Sequence, residues 1–289
     1  MRPTSKAVIV TGCSSGIGRA TAERLAAGGY TVYATARRPE SIADLEASGC
    51  KTLALDVNSD ESMRAAVETV QDAEGAIGGL VNNAGIQEIG AVETLPMERV
   101  RGIFETNLFG PVRLIQLVLP GMRKAGAGRI VTVGSMNGKF TWPGTGYYCG
   151  TKHALEAISD SLRYEVRPFG VDVVLLEPGF VKTPLGKTAV GRRAVDADDP
   201  YGDYNAEVAE AATNYTTGML GMLACTPEAV AKVVQKSLDA DKPRARYRIA
   251  RSAHMFMGMR KVMPDAAFDA FLRSQYPAPK GSLKNGRPA

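Results

Sequence analysis

The chain has 289 residues, of which 45% are hydrophobic and 22% are charged, and its formal net charge is +5 at pH 7. This composition excludes an intrinsically disordered chain, and the length is ample for a large hydrophobic core. Four cysteines without CxxC or zinc spacing and two isolated histidines exclude a disulfide scaffold and provide no ligand set for a metal.

The first predicted element is a short buried strand that leads into a glycine-rich turn. Lys6-Ala-Val-Ile-Val10 is followed by Thr11-Gly-Cys-Ser-Ser-Gly-Ile-Gly18, after which an amphipathic helix begins. Glycines let a backbone approach a pyrophosphate, whose charge then faces the positive end of the helix dipole. This order of elements predicts a dinucleotide site. Its candidate contacts are Gly12, Ser14, Ser15, Gly16, Ile17 and Gly18.

The second strand, Thr31 to Thr35, bears on the choice of cofactor. An NAD site usually has an acidic residue near the end of this strand, where it binds the ribose 2′-hydroxyl. Here Ala36-Arg37-Arg38 follows instead, and an arginine suits a 2′-phosphate. The sequence therefore favours NADP(H) over NAD(H), with Arg37 as the candidate contact, although either arginine could also be an ordinary solvated charge.

Two further strands end in polar or glycine-containing turns. Lys51-Thr-Leu-Ala-Leu-Asp56-Val57 ends in an aspartate, and Gly79-Leu-Val-Asn-Asn83-Ala84-Gly85 ends in a turn. Ligands of open parallel sheets bind at the carboxyl ends of the strands. We therefore expect Asp56 and Val57 near an adenine, and the segment Asn83-Ala84-Gly85 under a ribose.

The next segments contain the candidate catalytic residues. Residues 96–124 are predicted to be helical, with Pro111 and Pro120 kinking or bounding the pieces. A strand then runs from Arg129 to Ser135, whose hydroxyl can bind a carbonyl oxygen. Tyr148 and Lys152 stand four residues apart, on one face of a predicted helix. A phenol beside an ammonium loses its proton more easily than a free one, which suits an acid/base catalyst.

Strand and helix patterns alternate from Lys6 to Glu177 without a linker. This alternation predicts an α/β fold, a three-layer, Rossmann-like, doubly wound parallel β-sheet with helices on both faces and a C-terminal helical extension. We expect one NADP-binding domain over residues 1–276, with a substrate loop at about 184–226 and the extension at about 252–276. Residues 277–289 are predicted to be a flexible basic tail.

These motifs together resemble the short-chain dehydrogenase/reductase family, of the single-domain type. The resemblance covers about residues 5 to 185, and its finer features are most similar to the branch with 17β-hydroxysteroid and retinol dehydrogenases. Gly134 departs from the pattern, since a second serine often stands there. The matching motifs are Thr11 to Gly18, Asn82 to Gly85, Asn107, Ser135, Tyr148, Lys152 and Pro178-Gly179.

The resemblance implies a role for each matching residue. Tyr148 would be the acid/base, Lys152 would lower its pKa and bind the nicotinamide ribose, and Ser135 would hold the substrate oxygen. Asn107 would hold a helix kink and a water linked to Lys152. Residues expected to border the nicotinamide are Pro178, Gly179, Val181 and Thr183.

The substrate is less clear from the sequence. Aromatic and methionine residues in the segment 184–226, among them Tyr201, Tyr204, Tyr215, Met219 and Met222, suit an apolar ligand such as a steroid, a retinoid or a lipid-like ketone or alcohol. Residues 242–289 are rich in Lys and Arg, with apolar residues among them. The basic residues suit an acyl thioester of coenzyme A or, together with the apolar ones, a weak contact with a membrane surface. The apolar residues also suit a cover for the pocket or an oligomer contact.

The remaining expectations concern partners and place. The helices near 96–124 and 147–167 resemble those with which the family builds homodimers or homotetramers. Nucleic-acid binding is not expected, because the basic residues lack a reading module. No apolar run is long enough to cross a bilayer and no secretion signal is present, so we expect a cytoplasmic protein. A non-catalytic NADP(H) sensor or scaffold on the same fold is the alternative function.

Overall fold

Seven parallel strands form one twisted sheet with the order β3-β2-β1-β4-β5-β6-β7. The computed structural model describes residues 5–190, 200–214, 221–276 and 278–279. The strands are β1 (Ala7–Val10), β2 (Thr31–Ala36), β3 (Lys51–Ala54), β4 (Gly79–Asn82), β5 (Gly128–Val133), β6 (Val171–Pro178) and β7 (Arg246–Ile249). The strand order reverses between β1 and β4, which places a ligand crevice at their carboxyl ends.

Ten described helices accompany the sheet, together with short 3₁₀ segments. They are α1 (Gly16–Ala27), α2 (Asp60–Glu74), α3 (Met97–Phe104), α4 (Gly110–Ala125), α5 (Gly146–Val166), α6 (Leu185–Val190), α7 (Gly202–Asn214), α8 (Pro227–Asp239), α9 (Arg251–Val262) and α10 (Asp265–Gln275). The 3₁₀ segments are Pro39–Ser48, Met136–Gly138 and Arg167–Phe169.

The sheet is buried on both faces, as its continuous apolar strands require. In β1, Val8 and Val10 point toward one core, which α1 and α8 cover, while Ala7 and Ile9 point toward the other, which α2, α4 and α5 cover. The predicted α/β fold class, with helices on both faces and C-terminal helices beyond the sheet, is confirmed.

The predicted helical region over residues 96–124 is divided at a π-helical turn. This turn, Glu105–Phe109, lies between α3 and α4 and contains Asn107. Pro111 stands in the first turn of α4, directly after the π-helical turn, and Pro120 lies inside that helix. Gly110 packs directly against the loop that follows β3. A Cβ on Gly110 would lie 2.3 Å from the carbonyl oxygen of Val57.

Parts of two sequence predictions fall outside the described residues. In the expected substrate loop, the structure does not describe residues 191–199 and 215–220, which include Tyr215 and Met219. In the predicted tail it describes only residues 278–279. The domain limits therefore stay predictions. Within the described part of the chain, no helix combines the length and the apolar character that crossing a membrane requires.

A buried arginine on β5, Arg129, holds the C-terminal end of α8 against the sheet. The Arg129 side chain on β5 is fully buried, and its Nη1 donates to the carbonyl oxygens of Ser237, Leu238 and Ala240 at 2.5, 2.9 and 2.7 Å. Its Nη2 donates to Asp172 at 2.6 Å. A cation at the C-terminal end of a helix satisfies carbonyls that the helix itself leaves unpaired.

We predict that Arg129→Met destabilises the protein by about 3 kcal/mol, because it leaves these carbonyls and Asp172 without their donor. Urea unfolding at pH 7 measures the loss. Arg64, an exposed arginine paired with Asp60, provides the control, and Arg64→Met is expected to change the unfolding free energy by less than about 0.5 kcal/mol. Equal effects of the two substitutions would contradict this account of Arg129.

Candidate active site

The loop after β1 and the first turn of α1 each contain a position with room only for glycine. Gly12 has a φ of +72°, and a Cβ there would lie 2.8 Å from the Cα of Ala84. A Cβ on Gly18 would lie 2.2 Å from the carbonyl oxygen of Gly12 and 2.5 Å from the Asn83 amide nitrogen. The loop therefore presents bare backbone at the start of α1, which is the cradle that a pyrophosphate requires.

Hydrogen bonds join this loop to the loop after β4. The Thr11 hydroxyl oxygen accepts from the backbone N–H groups of Asn83 and Ala84, each at 2.9 Å. In return, the Asn83 side-chain amide donates to the carbonyl oxygens of Thr11 and Gly12 at 2.8 and 3.3 Å. The sequence predicts Asn83 under a ribose and indicates no separate role for Thr11. Both side chains fix the shape of the cradle.

A cleft of about 760 Å³ runs along the carboxyl ends of the strands. Two of the predicted site residues, Gly18 and Asn107, lie beneath it and shape it without lining it. The predicted residues that line it are Gly12, Ser14, Ser15, Gly16, Ile17, Arg37, Asp56, Val57, Asn83, Ala84, Gly85, Ser135, Tyr148, Lys152, Pro178, Gly179, Val181 and Thr183. The cradle and the volume of the cleft fit a nicotinamide dinucleotide.

At the centre of the cleft, Tyr148 and Lys152 share the face of α5 that the sequence spacing predicts. The Lys152 ammonium lies 5.6 Å from the centre of the Tyr148 ring and donates to the carbonyl oxygen of Val133 at 2.9 Å. Burial lowers the pKa of Lys152 to about 8. The hydrogen bond to the end of β5 fixes the ammonium beside the phenol.

Ser135 follows β5 and faces the same cleft. Its hydroxyl oxygen accepts a hydrogen bond from the backbone N–H of Asn137 at 3.1 Å. A hydroxyl has one hydrogen to donate. Because the Asn137 contact uses a lone pair of the oxygen, the hydrogen of Ser135 stays available for an oxygen of the substrate.

Asn107 is fixed by three hydrogen bonds in the π-helical turn. Its Oδ1 accepts from the N–H of Ile86 at 2.8 Å, and its Nδ2 donates to the Ile86 carbonyl at 2.8 Å and to the Thr151 hydroxyl at 3.3 Å. Thr151 in turn donates to the carbonyl oxygen of Tyr148 at 2.7 Å. Asn107 thus connects the loop after β4 to α5, and Thr151 is a member of this connection that the sequence did not indicate.

The two ends of the cleft differ in character. Arg37 and Asp56 lie on the wall beside the glycine-rich loop, whereas Arg38 does not line the cleft. At the other end the wall is apolar and includes residues from the C-terminal helices. A cover for the pocket was one of several roles that the sequence allowed for this segment. The main side chains of this wall are Met136, Trp142, Phe180, Phe256, Phe271 and Tyr276.

The aromatic wall is one packed cluster. Trp142 meets Phe140 and Phe256 edge to face, with ring centres 5.1 and 5.0 Å apart, and Phe268 packs against Phe140 at 6.1 Å. Helices α9 and α10 therefore pack their apolar sides against the segment after Ser135, and Phe256 and Phe271 line the cleft. The cluster joins the loop after Ser135 to the C-terminal segment, which is distant from that loop in the sequence.

Several basic residues of the C-terminal region are used in ion pairs within the chain. Arg246 contacts Glu156 at 2.9 Å and Asp160 at 2.6 Å, and Arg248 lies 3.5 Å from Glu177. Glu177 is fully buried, and burial together with the neighbouring Glu156 raises its pKa. These pairs attach β7, and with it the start of the C-terminal helices, to α5 and β6.

The two cysteines near the site, Cys13 and Cys149, are buried and lack the lowered pKa of a reactive thiol. All four cysteines of the chain are free thiols. Cys13 in the glycine-rich loop is buried, which raises the pKa of its thiol to about 12. Cys149 is buried next to Tyr148, and burial also raises the pKa of its thiol. Both side chains therefore act as small, neutral packing groups, and within the described residues no cluster of three metal-ligating side chains occurs.

Comparisons with known proteins agree with this geometry. The family model described as short chain dehydrogenase matches residues 6–193. An uncharacterized oxidoreductase of Escherichia coli, YbbO, is 33% identical over 93% of the chain and 94% of its own length. The NADPH-dependent 3-dehydrocapnine reductase of Ornithobacterium rhinotracheale is 35% identical over 90% of the chain and 94% of its own length. The crystal structure of a short-chain dehydrogenase from Streptomyces avermitilis superimposes with a TM-score of 0.78 at 32% identity, over 95% of this chain and 97% of that one.

We predict that Lys152→Met abolishes turnover but raises the free energy of unfolding at pH 7 by about 2 kcal/mol. The unfolded chain holds a proton on Lys152 up to about pH 10.5, whereas the folded chain releases it near pH 8. The stability of the wild type therefore rises between these pH values, and the full cost of the buried charge is present below about pH 8. Part of the gain is offset because Val133 loses its donor.

Urea unfolding at pH 7 and pH 10 measures this effect. The stabilisation by Lys152→Met should be smaller at pH 10, where the lysine of the wild type is already neutral in the folded state. Lys232→Met, which removes an exposed lysine of α8, should show no such pH dependence. A Lys152→Met variant that is less stable than the wild type at pH 7 would refute the cost assigned to the buried charge.

Proposed function

The chain belongs to the short-chain dehydrogenase/reductase family, and we propose that it uses NADP(H) to interconvert a carbonyl and an alcohol on an apolar substrate, with Tyr148 as acid/base. Family membership makes it an NAD(P)-dependent oxidoreductase acting on alcohol or carbonyl groups. The observation that carries the finer proposal is the convergence of Ser135, Tyr148 and Lys152 in one cleft with the glycine-rich cradle. The placement near the 17β-hydroxysteroid and retinol dehydrogenases stays a prediction.

The three side chains have complementary parts in the reaction. When bound, the nicotinamide supplies a hydride to the carbonyl carbon, or removes one in the reverse direction. Ser135 donates its free hydrogen to the substrate oxygen, and Tyr148 gives that oxygen its phenolic proton as the alcohol forms. The ammonium of Lys152 stabilises the negative charge that remains on the phenol. In oxidation the same proton returns to Tyr148.

The proposed preference for NADP(H) is supported by the charges at the cradle end of the cleft. Arg37 is exposed on the cleft wall immediately after β2, and no ion pair occupies it within the described residues. An acidic residue that would bind a ribose 2′-hydroxyl is absent from the end of β2. The similarity to a reductase named as NADPH-dependent points the same way.

The proposed apolar substrate is supported by the aromatic wall at the other end. A steroid, a retinoid or a lipid-like ketone or alcohol would bury its hydrocarbon part against Phe256 and Phe271. An acyl thioester of coenzyme A is less well supported, because Arg246 and Arg248 are engaged with carboxylates of this chain and do not line the cleft.

The assembly and the location are also proposals. Exposed apolar side chains on the helices near the predicted interface, Met97, Phe109 and Tyr164, support a homodimer or homotetramer. We place the enzyme in the cytoplasm. A weak membrane contact through Met255 and Val262, the exposed apolar residues of α9, stays a prediction. Phe256, Met257 and Phe268 of the C-terminal helices are instead buried in the aromatic cluster.

Replacing the phenol tests the catalytic role directly. We predict that Tyr148→Phe lowers turnover of ketones by at least about a hundredfold, because the proton donor is lost, while NADPH binding changes little. NADPH absorbance measures turnover and NADPH fluorescence measures binding. Tyr147→Phe is the matched control, since that neighbouring hydroxyl donates to the carbonyl oxygen of Val92 outside the cleft. Substantial residual activity of Tyr148→Phe would refute the acid/base role. Tight NADPH binding by a wild type that reduces no ketone would favour the sensor alternative.

A pair of arginine variants tests the cofactor preference. We predict that Arg37→Ala lowers kcat/KM for NADPH by about tenfold to a hundredfold and leaves that for NADH nearly unchanged, because one charge-assisted contact to the 2′-phosphate is lost. Arg38→Ala, at the neighbouring position outside the cleft, should leave both values nearly unchanged. A wild type that prefers NADH would contradict the proposal.

A further inference from the structure

A buried serine in the first turn of α9 joins the C-terminal helices to the segment after β6. The Ser252 side chain is fully buried, and its hydroxyl oxygen accepts a hydrogen bond from the backbone N–H of Phe180 at 2.8 Å. The same hydroxyl donates to the carbonyl oxygen of Leu223 at 3.1 Å, and the backbone N–H of Ser252 donates to that oxygen at 3.2 Å. One hydroxyl therefore connects three segments that are distant in the sequence.

The contact of α9 with Gly179 is too close for a larger residue. A Cβ on Gly179 would lie 2.2 Å from the Ser252 hydroxyl oxygen and 2.6 Å from the backbone nitrogen of Ala253. Gly179 donates its own N–H to the carbonyl oxygen of Ile249 at 2.8 Å, which extends the pairing of β6 with β7. The start of α9 is thus packed against the bare backbone of a residue that also lines the cleft.

Phe180 is held on its other side as well. Its carbonyl oxygen accepts from the backbone N–H of Cys225 at 2.9 Å, and the N–H of Lys182 donates to the Cys225 carbonyl oxygen at 3.0 Å. The Phe180 ring packs against Phe256 of α9, with ring centres 5.8 Å apart. Both backbone groups of Phe180 are therefore bound by residues from the C-terminal part of the chain.

The turn that leads into α9 is strained. Ala250, between β7 and α9, has a φ of +77° and a ψ of 153°, a conformation that is nearly confined to glycine. Such strain costs free energy and persists where the surrounding structure holds the residue in place, often beside a functional site. Here Ile249 and Ser252, on either side of Ala250, both bind the backbone that borders the cleft.

We propose that Ser252 is a positioning residue for the nicotinamide half of the cofactor. Gly179 and Phe180 line the cleft together with Tyr148, and the nicotinamide is expected against this backbone, beside the phenol. Ser252 holds that backbone from behind and does not itself line the cleft. The nicotinamide then meets a wall that is ordered before it binds, which lowers the entropic cost of binding and aligns the hydride with the substrate carbon. This inference rests on the proposed function.

Two ligands of different extent test the inference. NADPH contains both halves of the cofactor, whereas adenosine 2′,5′-bisphosphate contains the adenosine half and no nicotinamide. We expect Ser252→Ala to raise the dissociation constant of NADPH about tenfold and that of the bisphosphate less than about twofold, as calorimetry measures. The kcat for a reducible ketone should fall about tenfold because the nicotinamide is misplaced. Its pH profile should not change, since Tyr148 and Lys152 keep their contacts.

Ser237→Ala is the matched control. Ser237 on α8 is equally buried and does not line the cleft, and its hydroxyl donates to the carbonyl oxygen of Val234 at 2.7 Å. This variant loses the same kind of hydrogen bond, so a merely structural effect would be common to both serines. We expect it to leave both dissociation constants and kcat unchanged.

The ratio of the two dissociation constants decides the outcome. An unchanged ratio in Ser252→Ala would overturn the inference and leave the proposed function intact. If the wild type binds NADPH but reduces no ketone in a broad panel, the proposed function fails, and this inference fails with it. Should Ser252→Ala not fold, Gly179→Ala displaces the same hydroxyl and should show the same selective loss of NADPH affinity. An unchanged ratio in that variant would overturn the inference equally.

Discussion

The cleft depends on the close contact between the loop after β1 and the loop after β4. Thr11 and Asn83 exchange hydrogen bonds across the contact, and Gly12 and Gly18 permit an approach that no larger residue would allow. This contact exposes backbone N–H groups at the start of α1 and sets the position of the chain that continues toward Ile86. Because Asn107 is bound to Ile86 and Thr151, the same contact also positions α5. The glycine-rich cradle and α5, which carries Tyr148 and Lys152, are thereby parts of one hydrogen-bonded unit.

Lys152 shows how function opposes stability at this site. A buried ammonium with one carbonyl partner is expected to lower the stability of the fold at neutral pH, yet its charge beside Tyr148 is what the proposed proton transfer requires. Preorganised polar groups in a closed site are available to the reaction without reorganisation when it occurs.

Local signals in the sequence were sufficient for the fold and for the centre of the site. Buried apolar runs predicted the strands, the glycine spacing predicted the cradle, and the four-residue interval between Tyr148 and Lys152 predicted their shared helix face. The pocket wall was harder to predict because it joins Trp142 to Phe256, which are distant in the chain. The basic C-terminal region suggested an acidic partner, yet the partners of Arg246 and Arg248 are carboxylates of α5 and β6, which only the fold brings close.

The central claim is that this cleft transfers a hydride from NADPH to a carbonyl carbon, and isotope transfer tests it most directly. NADPH carrying deuterium at both C4 positions would be incubated with a reducible ketone and the enzyme, and the alcohol would be examined by mass spectrometry and NMR. The account predicts one deuterium, bound to the carbinol carbon, in the product. An alcohol whose carbinol hydrogen comes from water, or NADPH oxidation without alcohol formation, would contradict it.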